Sequence, residues 1–348
     1  MIALLALLAG APVTVREEDP LAGSYLVGAT ARPRRVRPER VWLDLDPSVG
    51  LPGKDVDDGI ATLMAFGSPE IEVVGISVVF GNAPLPDGKR IAEELAAFGP
   101  RRLPVIAGAA GPGDDAEEVV AGMTRALDRG PLTLLALGPL THVAALLRAS
   151  PRRLDHLQRV IVVAGRLPGQ VLQTGDHRHR DFNLEQDPAA MEALLASSVP
   201  ITLAPWELSR QVRLGADDLS RWDTGPAAWL AARSESWLAL WSERFGVPWF
   251  NPFDALAVEL VVAPRLVGCT PAGATLEQAP DDRGREEPPP LKPYLIVRPG
   301  GPGRPVVWCG TVDDRARDDL QRRLGVAAPH RATGFTEGTA PPEASTPP

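Results

Sequence analysis

Short apolar runs alternate with stretches of helical period between residues 41 and 204. Val41-Trp42-Leu43 is an apolar run that ends in acids, which suits a buried strand. Within residues 58–66, Ile60, Leu63 and Met64 keep helical spacing. Residues 76–80 read as the next strand. Residues 89–98 read as a helix with Ile91, Leu95 and Phe98 on one face, and 103–106 as a short strand. The series continues with a helix over 117–127, a strand over 132–137, a helix over 141–147, a strand over 160–163, a helix over 188–195 and a strand over 201–204. Strands alternating with helices predict an α/β fold: a mostly parallel central sheet with helices on both faces, Rossmann-like in type. Ligands of such sheets bind outside the carboxyl ends of the strands. Further on, Trp229, Leu230, Trp237, Leu240 and Trp241 keep near-helical spacing and predict a buried helix face. Residues 313–323 read as a solvated terminal helix, with acids early and arginines late as its dipole favours.

The ends differ from this middle. The apolar start, MIALLALLAGAPVTV, is too short to span a bilayer. It reads either as an extension or as a signal segment cut near Ala9-Gly10-Ala11. The first reading leaves the protein in the cytoplasm, and the second exports it. Residues 30–40 form a basic linker containing proline, and residues 327–348 lack the large apolar side chains needed to offset ordering entropy. The expected organisation is an extension and linker over 1–39, one catalytic domain over 40–326 and a disordered tail over 327–348. A net charge of −8 without a long basic run excludes a nucleic-acid partner. Two cysteines, Cys269 and Cys309, make neither a disulfide framework nor a multi-cysteine zinc site.

The chemistry concentrates after the first strand. Asp44-Leu45-Asp46-Pro47 is followed by Asp55-Val56-Asp57-Asp58-Gly59, so four or five carboxylates crowd one strand-to-helix junction. Helix capping needs one or two acids. Crowded carboxylates repel one another and lose solvation on burial, and a hard divalent cation with oxygen ligands removes both penalties.

Asp44-x-Asp46-Pro47 with Asp57-Asp58-Gly59 resembles the N-terminal signature of the inosine-uridine-preferring nucleoside hydrolases, D-x-D-P-G-x-D-D, with a lengthened loop. Six further blocks follow in the family's order. They are Phe80-Gly81-Asn82, Pro104 to Gly108, Leu137-Gly138-Pro139-Leu140-Thr141, Val163-Ala164-Gly165, Asp181-Phe182-Asn183 with Asp187-Pro188-Ala189-Ala190, and Phe253-Asp254-Ala255-Leu256-Ala257-Val258. The resemblance implies the nucleoside hydrolase fold, hydrolysis of an N-glycosidic bond of a nucleoside or related ribosyl compound, and one Ca²⁺. It implies Asp46, Asp58, Asp254 and the carbonyl of Leu137 as metal ligands, with Asp46 also the general base. It implies that Asp57, Asn82, Gln170, Asp181 and Asn183 bind the sugar. Asp181 replaces the family's Glu and is one methylene shorter. Family members commonly form dimers and tetramers, so a homo-oligomer is expected.

The leaving base has no evident proton donor, because Phe253 stands where these hydrolases carry His and Phe cannot donate. Stacking by Trp206, Trp249, Phe250 or Phe253 is one substitute, and a proton from His177, His179 or Asp176 is another. Two alternatives stand beside the hydrolase reading. One is a calcium and ribosyl-ligand binding protein without turnover. The other is a haloacid-dehalogenase-type phosphohydrolase, which also carries Asp-x-Asp after its first strand. Against the latter, Pro47 follows Asp46, and the only lysines are Lys54, Lys89 and Lys292.

Overall fold

The computed structural model of the protein describes residues 37–325 apart from 101 and 285. The expectations for a signal segment, for linker residues 30–36 and for a disordered tail lie outside the described residues. The strands are β1 (Glu39–Leu45), β2 (Ile71–Val78), β3 (Val105–Ala107), β4 (Leu132–Ala136), β5 (Leu157–Val162), β6 (Gln173–Thr174), β7 (His177–Arg178), β8 (Ile201–Leu203), β9 (Leu214–Gly215), β10 (Trp249–Phe250), β11 (Val267–Pro280), β12 (Leu291–Pro299) and β13 (Arg304–Val312). Nine of them form one sheet in the order β12-β11-β13-β8-β5-β4-β1-β2-β3. From β13 to β3 every pairing is parallel, and β11 runs antiparallel to both β12 and β13. β6 and β7 form a small hairpin, and β9 pairs with β10.

Alternation of side chains divides the strands between two cores. Val41, Leu43 and Leu45 of β1 enter one core with Ile60, Met64, Ile91 and Val258 from helices Asp57–Phe66, Leu85–Ala96 and Phe253–Val262. Trp42 enters the other with Met123, Val143 and Leu194 from helices Glu117–Asp128, Thr141–Ala149 and Pro188–Ala196. Helices therefore cover both faces, as the apolar pattern predicts. The chain winds from β1 through β2 to β3 on one side and through β4, β5 and β8 on the other. That reversal opens a crevice at the carboxyl ends of β1 and β4, where such sheets take ligands.

Three differences from the sequence reading stand out. The antiparallel strands β11, β12 and β13 were not anticipated, and they extend the sheet beyond its parallel part. Cys269 and Cys309 are register partners on β11 and β13 and are joined as a disulfide. The terminal helix, Ala316–Arg323, is not a solvated element: Leu320, Asp319, Gln321 and Arg323 are buried. Arg323 reaches Glu70 and Ser68, each at 2.8 Å, and also pairs with Asp319. Among the described residues no helix is long and apolar enough to cross a membrane.

Candidate active site

The carboxyl ends of four strands meet the starts of two helices. Asp46 follows β1, Gly81 and Asn82 follow β2, Leu137 follows β4, and Val163 to Gly165 follow β5. The helix Asp57–Phe66 opens with Asp57 and Asp58, and the helix Phe253–Val262 places Asp254 in its first turn. A helix N-terminus favours negative charge, so both acidic openings are locally consistent. The fold then brings distant sequence together: carboxylate oxygens of Asp57, Asp58 and Asp254 lie within 4.8 Å of one another, all buried. Asp46 adjoins them. Its N–H donates to Asp58 Oδ1 at 3.3 Å, and its own Oδ2 accepts from the N–H of Asn82 at 2.9 Å.

No basic side chain among the described residues relieves this crowding. Burial, with Asp58 alongside, pushes Asp57 up to about 7. Burial, with Asp55 alongside, pushes Asp58 up to about 8. Burial and the neighbouring carboxylates also hold Asp46, Asp55 and Asp254 well above the usual carboxylate range. Such a set of oxygen donors, desolvated and mutually repelling, fits a hard divalent cation.

Asp44 takes no part in that set. It is completely buried and turns into a separate chain of hydrogen bonds. Trp42 Nε1 donates to Ser77 Oγ at 2.9 Å, Ser77 Oγ donates to Asp44 Oδ1 at 2.6 Å, and His142 Nδ1 lies 2.7 Å from the same oxygen. The N–H of Ala109 donates to His142 Nε2 at 2.8 Å, which leaves Nδ1 to donate to Asp44. Asp187 is likewise structural. Its carboxylate caps the helix Pro188–Ala196 through the N–H of Ala190 and accepts from Thr141 Oγ1 at 2.6 Å.

A cavity of about 300 Å³, within the size range of small-molecule pockets, is lined by Asp57, Asn82, Leu137, Asp181, Asn183 and Asp254, among others. Asp46 and Asp58 are buried against this wall through their bonds to Asn82 and Asp57. Asn183 Nδ2 donates to the carbonyls of Leu137 at 2.6 Å and Val163 at 3.2 Å, so only its Oδ1 is left for a ligand. Asp181 accepts from the N–H of Gly165 at 2.9 Å, and burial pushes it up to about 6. Gln170 is not brought to the cavity. It is exposed in the loop after β5, and its backbone carbonyl accepts from Arg166 at 3.3 Å.

The aromatic candidates separate. Trp206 and Phe253 line the cavity with their rings stacked, centroids 5.5 Å apart and planes 25° apart. Phe250 is core, and Trp249 packs outside the cavity wall against Trp241. His177 and His179 line the cavity, whereas Asp176 is exposed outside its lining. The helix Gly225–Phe245 departs from the expectation of a purely buried face, because Trp237, Trp241 and Phe245 line the cavity. Their signal was the four-residue spacing that places them on one stripe of the helix. Asp55, which also lines the cavity, was visible only as one acid in a crowd. Its Oδ1 accepts from the N–H groups of Val56 at 2.7 Å and Asp57 at 3.2 Å, holding the loop that leads into the helix.

A sequence model described as inosine-uridine preferring nucleoside hydrolase matches residues 41–292. Uridine nucleosidase 1 of Arabidopsis thaliana is 27% identical over 213 residues, covering 52% of this chain and 60% of that protein. Non-specific ribonucleoside hydrolase RihC of Escherichia coli is 28% identical over 209 residues, covering 52% and 65%. The chain thus spans under two thirds of the length of these two relatives. Among solved structures, a plant nucleoside hydrolase superposes with a TM-score of 0.68 at 19% identity, covering 82% of this chain and 99% of that one.

Proposed function

The chain belongs to the inosine-uridine preferring nucleoside hydrolase family, and on that premise we propose that it hydrolyses the N-glycosidic bond of a ribonucleoside in a calcium-dependent reaction. The observation that carries this reading is the meeting of Asp254 with Asp57 and Asp58, beside Asp46, at the wall of a ligand-sized cavity. The ion would be held by Asp46, Asp58, Asp254 and the carbonyl of Leu137. When bound, calcium supplies charge against the carboxylates and an attachment for a ribose diol and a water.

The chain's own residues do the rest. Asp46, oriented by the N–H of Asn82, takes the proton of the water that adds to the anomeric carbon. Asp57 accepts from the ribose 2-hydroxyl. Asn82 fixes the sugar, and Asn183 contributes its Oδ1 while its amide nitrogen holds the Leu137 carbonyl in place. Asp181 binds the sugar's outer hydroxyl. Positive charge grows on the ribose in the transition state, and a ring of carboxylates stabilises that state more than the ground state.

The base departs with the bonding electron pair, supported by stacking on Trp206 and Phe253, and takes its proton from solvent rather than from His179. Burial first, then the neighbouring His177, Arg283 and Arg244, push His179 down to about 4. It is therefore uncharged near pH 7 and lacks the imidazolium proton that would protonate the departing base.

The test is reducing-sugar release from purine, pyrimidine and nicotinamide ribosides. Cleavage of at least one is expected, and Asp46→Asn should lower kcat about 10²- to 10⁴-fold. Full cleavage by Asp46→Asn contradicts the assignment. Ligand-stabilised melting without product on long incubation favours a non-catalytic binding protein instead.

A further inference from the structure

The cavity is lined by charges of both signs: Asp57, Asp181 and Asp254 on the one hand, Arg178, Arg180, Arg244 and Arg283 on the other. The charges acting on Asp57 and Asp254 are other carboxylates, whereas Arg244 and Arg283 act on His179. These arginines come from three separate places: the segment from β7 to Asp181, the last turn of the helix Gly225–Phe245, and the turn between β11 and β12. Convergence of four guanidinium groups on one cavity is unexpected in a chain of net charge −8. Arg180 is paired with Glu185 at 2.9 Å. Arg178 donates to the carbonyl of Asp282, and Arg244 lies over the ring of Phe245 at 5.8 Å. Among the described residues, no carboxylate lies within ion-pair distance of Arg178, Arg244 or Arg283.

The neighbouring acids are engaged elsewhere. Asp282 pairs with Arg166 at 2.6 Å and Lys292 at 3.3 Å. Lys292 also holds Glu185 at 3.0 Å and Asp281 at 2.9 Å. The resulting positive field reaches His179, on which His177, Arg283 and Arg244 all act.

A second feature is independent of charge. Trp206 and Trp241 line this cavity and are buried, yet their indole N–H groups have no acceptor among the described residues. Buried donors normally have partners. Cations without anions and donors without acceptors, gathered around one cavity, match a ligand that is negatively charged and rich in acceptor oxygens. Arginine suits this task because its planar fork binds phosphate or carboxylate through two parallel hydrogen bonds. A neutral nucleoside can offer acceptors to the donors but brings no negative charge to the arginines.

We infer that the cavity selects an anionic ribosyl compound, its phosphate or carboxylate held by Arg244, Arg283 and Arg178 while the carboxylates take the sugar. The inference rests on the hydrolase reading above and adds the substrate class. The anion belongs at the arginines, since Asp57 and Asp254 repel it. A nucleoside 5′-monophosphate and a nucleoside with a carboxylated base share this chemistry.

The experiment compares kcat/KM, by reducing-sugar release with calcium present, for inosine against inosine 5′-monophosphate and for uridine against orotidine. Wild type and the double variant Arg244→Gln/Arg283→Gln are both assayed. The two positions are exposed, and an unchanged circular dichroism spectrum checks that the variant folds. In wild type, at least one anionic compound should exceed its neutral counterpart by about tenfold or more, and the double variant should cut that ratio by about tenfold. Preference for inosine 5′-monophosphate assigns the phosphate, and preference for orotidine assigns the carboxylate. Raising ionic strength should lower turnover of the favoured anion more than that of its neutral counterpart. Neutral compounds cleaved as well as or better than anionic ones, with a ratio the variant does not move, would overturn the inference and leave the hydrolase reading intact. If none of the four is cleaved, calorimetric binding of the same four compounds decides the inference alone, and the hydrolase reading fails if the nicotinamide riboside is also left uncleaved. Tighter binding of an anion, lost in the variant, supports it, and equal or absent binding overturns it.

Discussion

Gly81 stands with φ +154° directly against Asp46, and a Cβ built there collides with the Asp46 carboxylate. Only glycine combines that backbone angle with that approach. Gly81→Ala should displace Asp46 and lower kcat/KM about 10²-fold, the cost of a small misplacement in a catalytic constellation. Nucleoside-cleavage assays check it, and activity within about twofold of wild type would contradict the role given to Asp46. Glu259 offers a second test, away from the site. It is buried, neither carboxylate oxygen has a hydrogen-bond partner among the described residues, and burial with Asp319 nearby pushes it from 4.5 up to about 8. Between those two values the folded chain keeps a proton that the unfolded chain has released, so stability falls as pH rises, by about 1 kcal/mol per unit. Glu259→Gln removes that proton linkage. Its melting temperature relative to wild type should therefore rise between about pH 5 and pH 8, and a constant difference would contradict the shift. At this scale Asp57 and Asp58 were legible because acids crowded without basic partners are conspicuous, whereas Asp254 was legible only through the resemblance of the block Phe253 to Val258. The sequence did not reveal the Asp44–His142 bond, since nothing in a separation of 98 residues says that the two meet until the strand carrying Asp44 lies beside the helix carrying His142.

Among the elements, the parallel strands and their helices were legible because the strands, buried on both faces, read as short apolar runs and the helices between them carry a period of 3.6. The antiparallel strands were not. β11 contains Gly268, Pro271 and Gly273, and β12 contains Pro293 and Pro299, residues that read as turns when strand context is unknown. The helix Ala316–Arg323 misled for another reason: its charges follow a dipole-friendly order that suits an exposed helix, yet Arg323 is buried and tied to Glu70, Ser68 and Asp319. Removing one partner of a buried pair leaves the other charge uncompensated. Arg323→Ala should therefore cost about 3 kcal/mol, at the lower end for such pairs because Glu70 is partly solvated. Urea unfolding measures it, and a loss below about 0.5 kcal/mol would return this helix to the solvated role its charge pattern suggests. The helix Gly225–Phe245 shows the opposite ambiguity, in which an aromatic stripe serves both core and cavity.

Over the whole molecule, the reversal of winding order at β1 and β4 explains why residues from β1, β2, β4 and β5 reach one crevice, and why Asp254 arrives there on a helix from late in the chain. That topology follows from alternating strands and helices, so the location of the site was legible before its geometry. The gathering of arginines on the same cavity as the acids was not, because they come from three places in the chain with no common motif. The central claim is that the carboxylates of Asp46, Asp58 and Asp254 hold one cation on which nucleoside cleavage depends. Elemental analysis of bound calcium, alongside cleavage of the best-accepted nucleoside, tests it most directly. Protein stripped by chelator and retitrated should regain activity in proportion to bound calcium and saturate at one ion per chain. Full cleavage by metal-free protein would contradict the account.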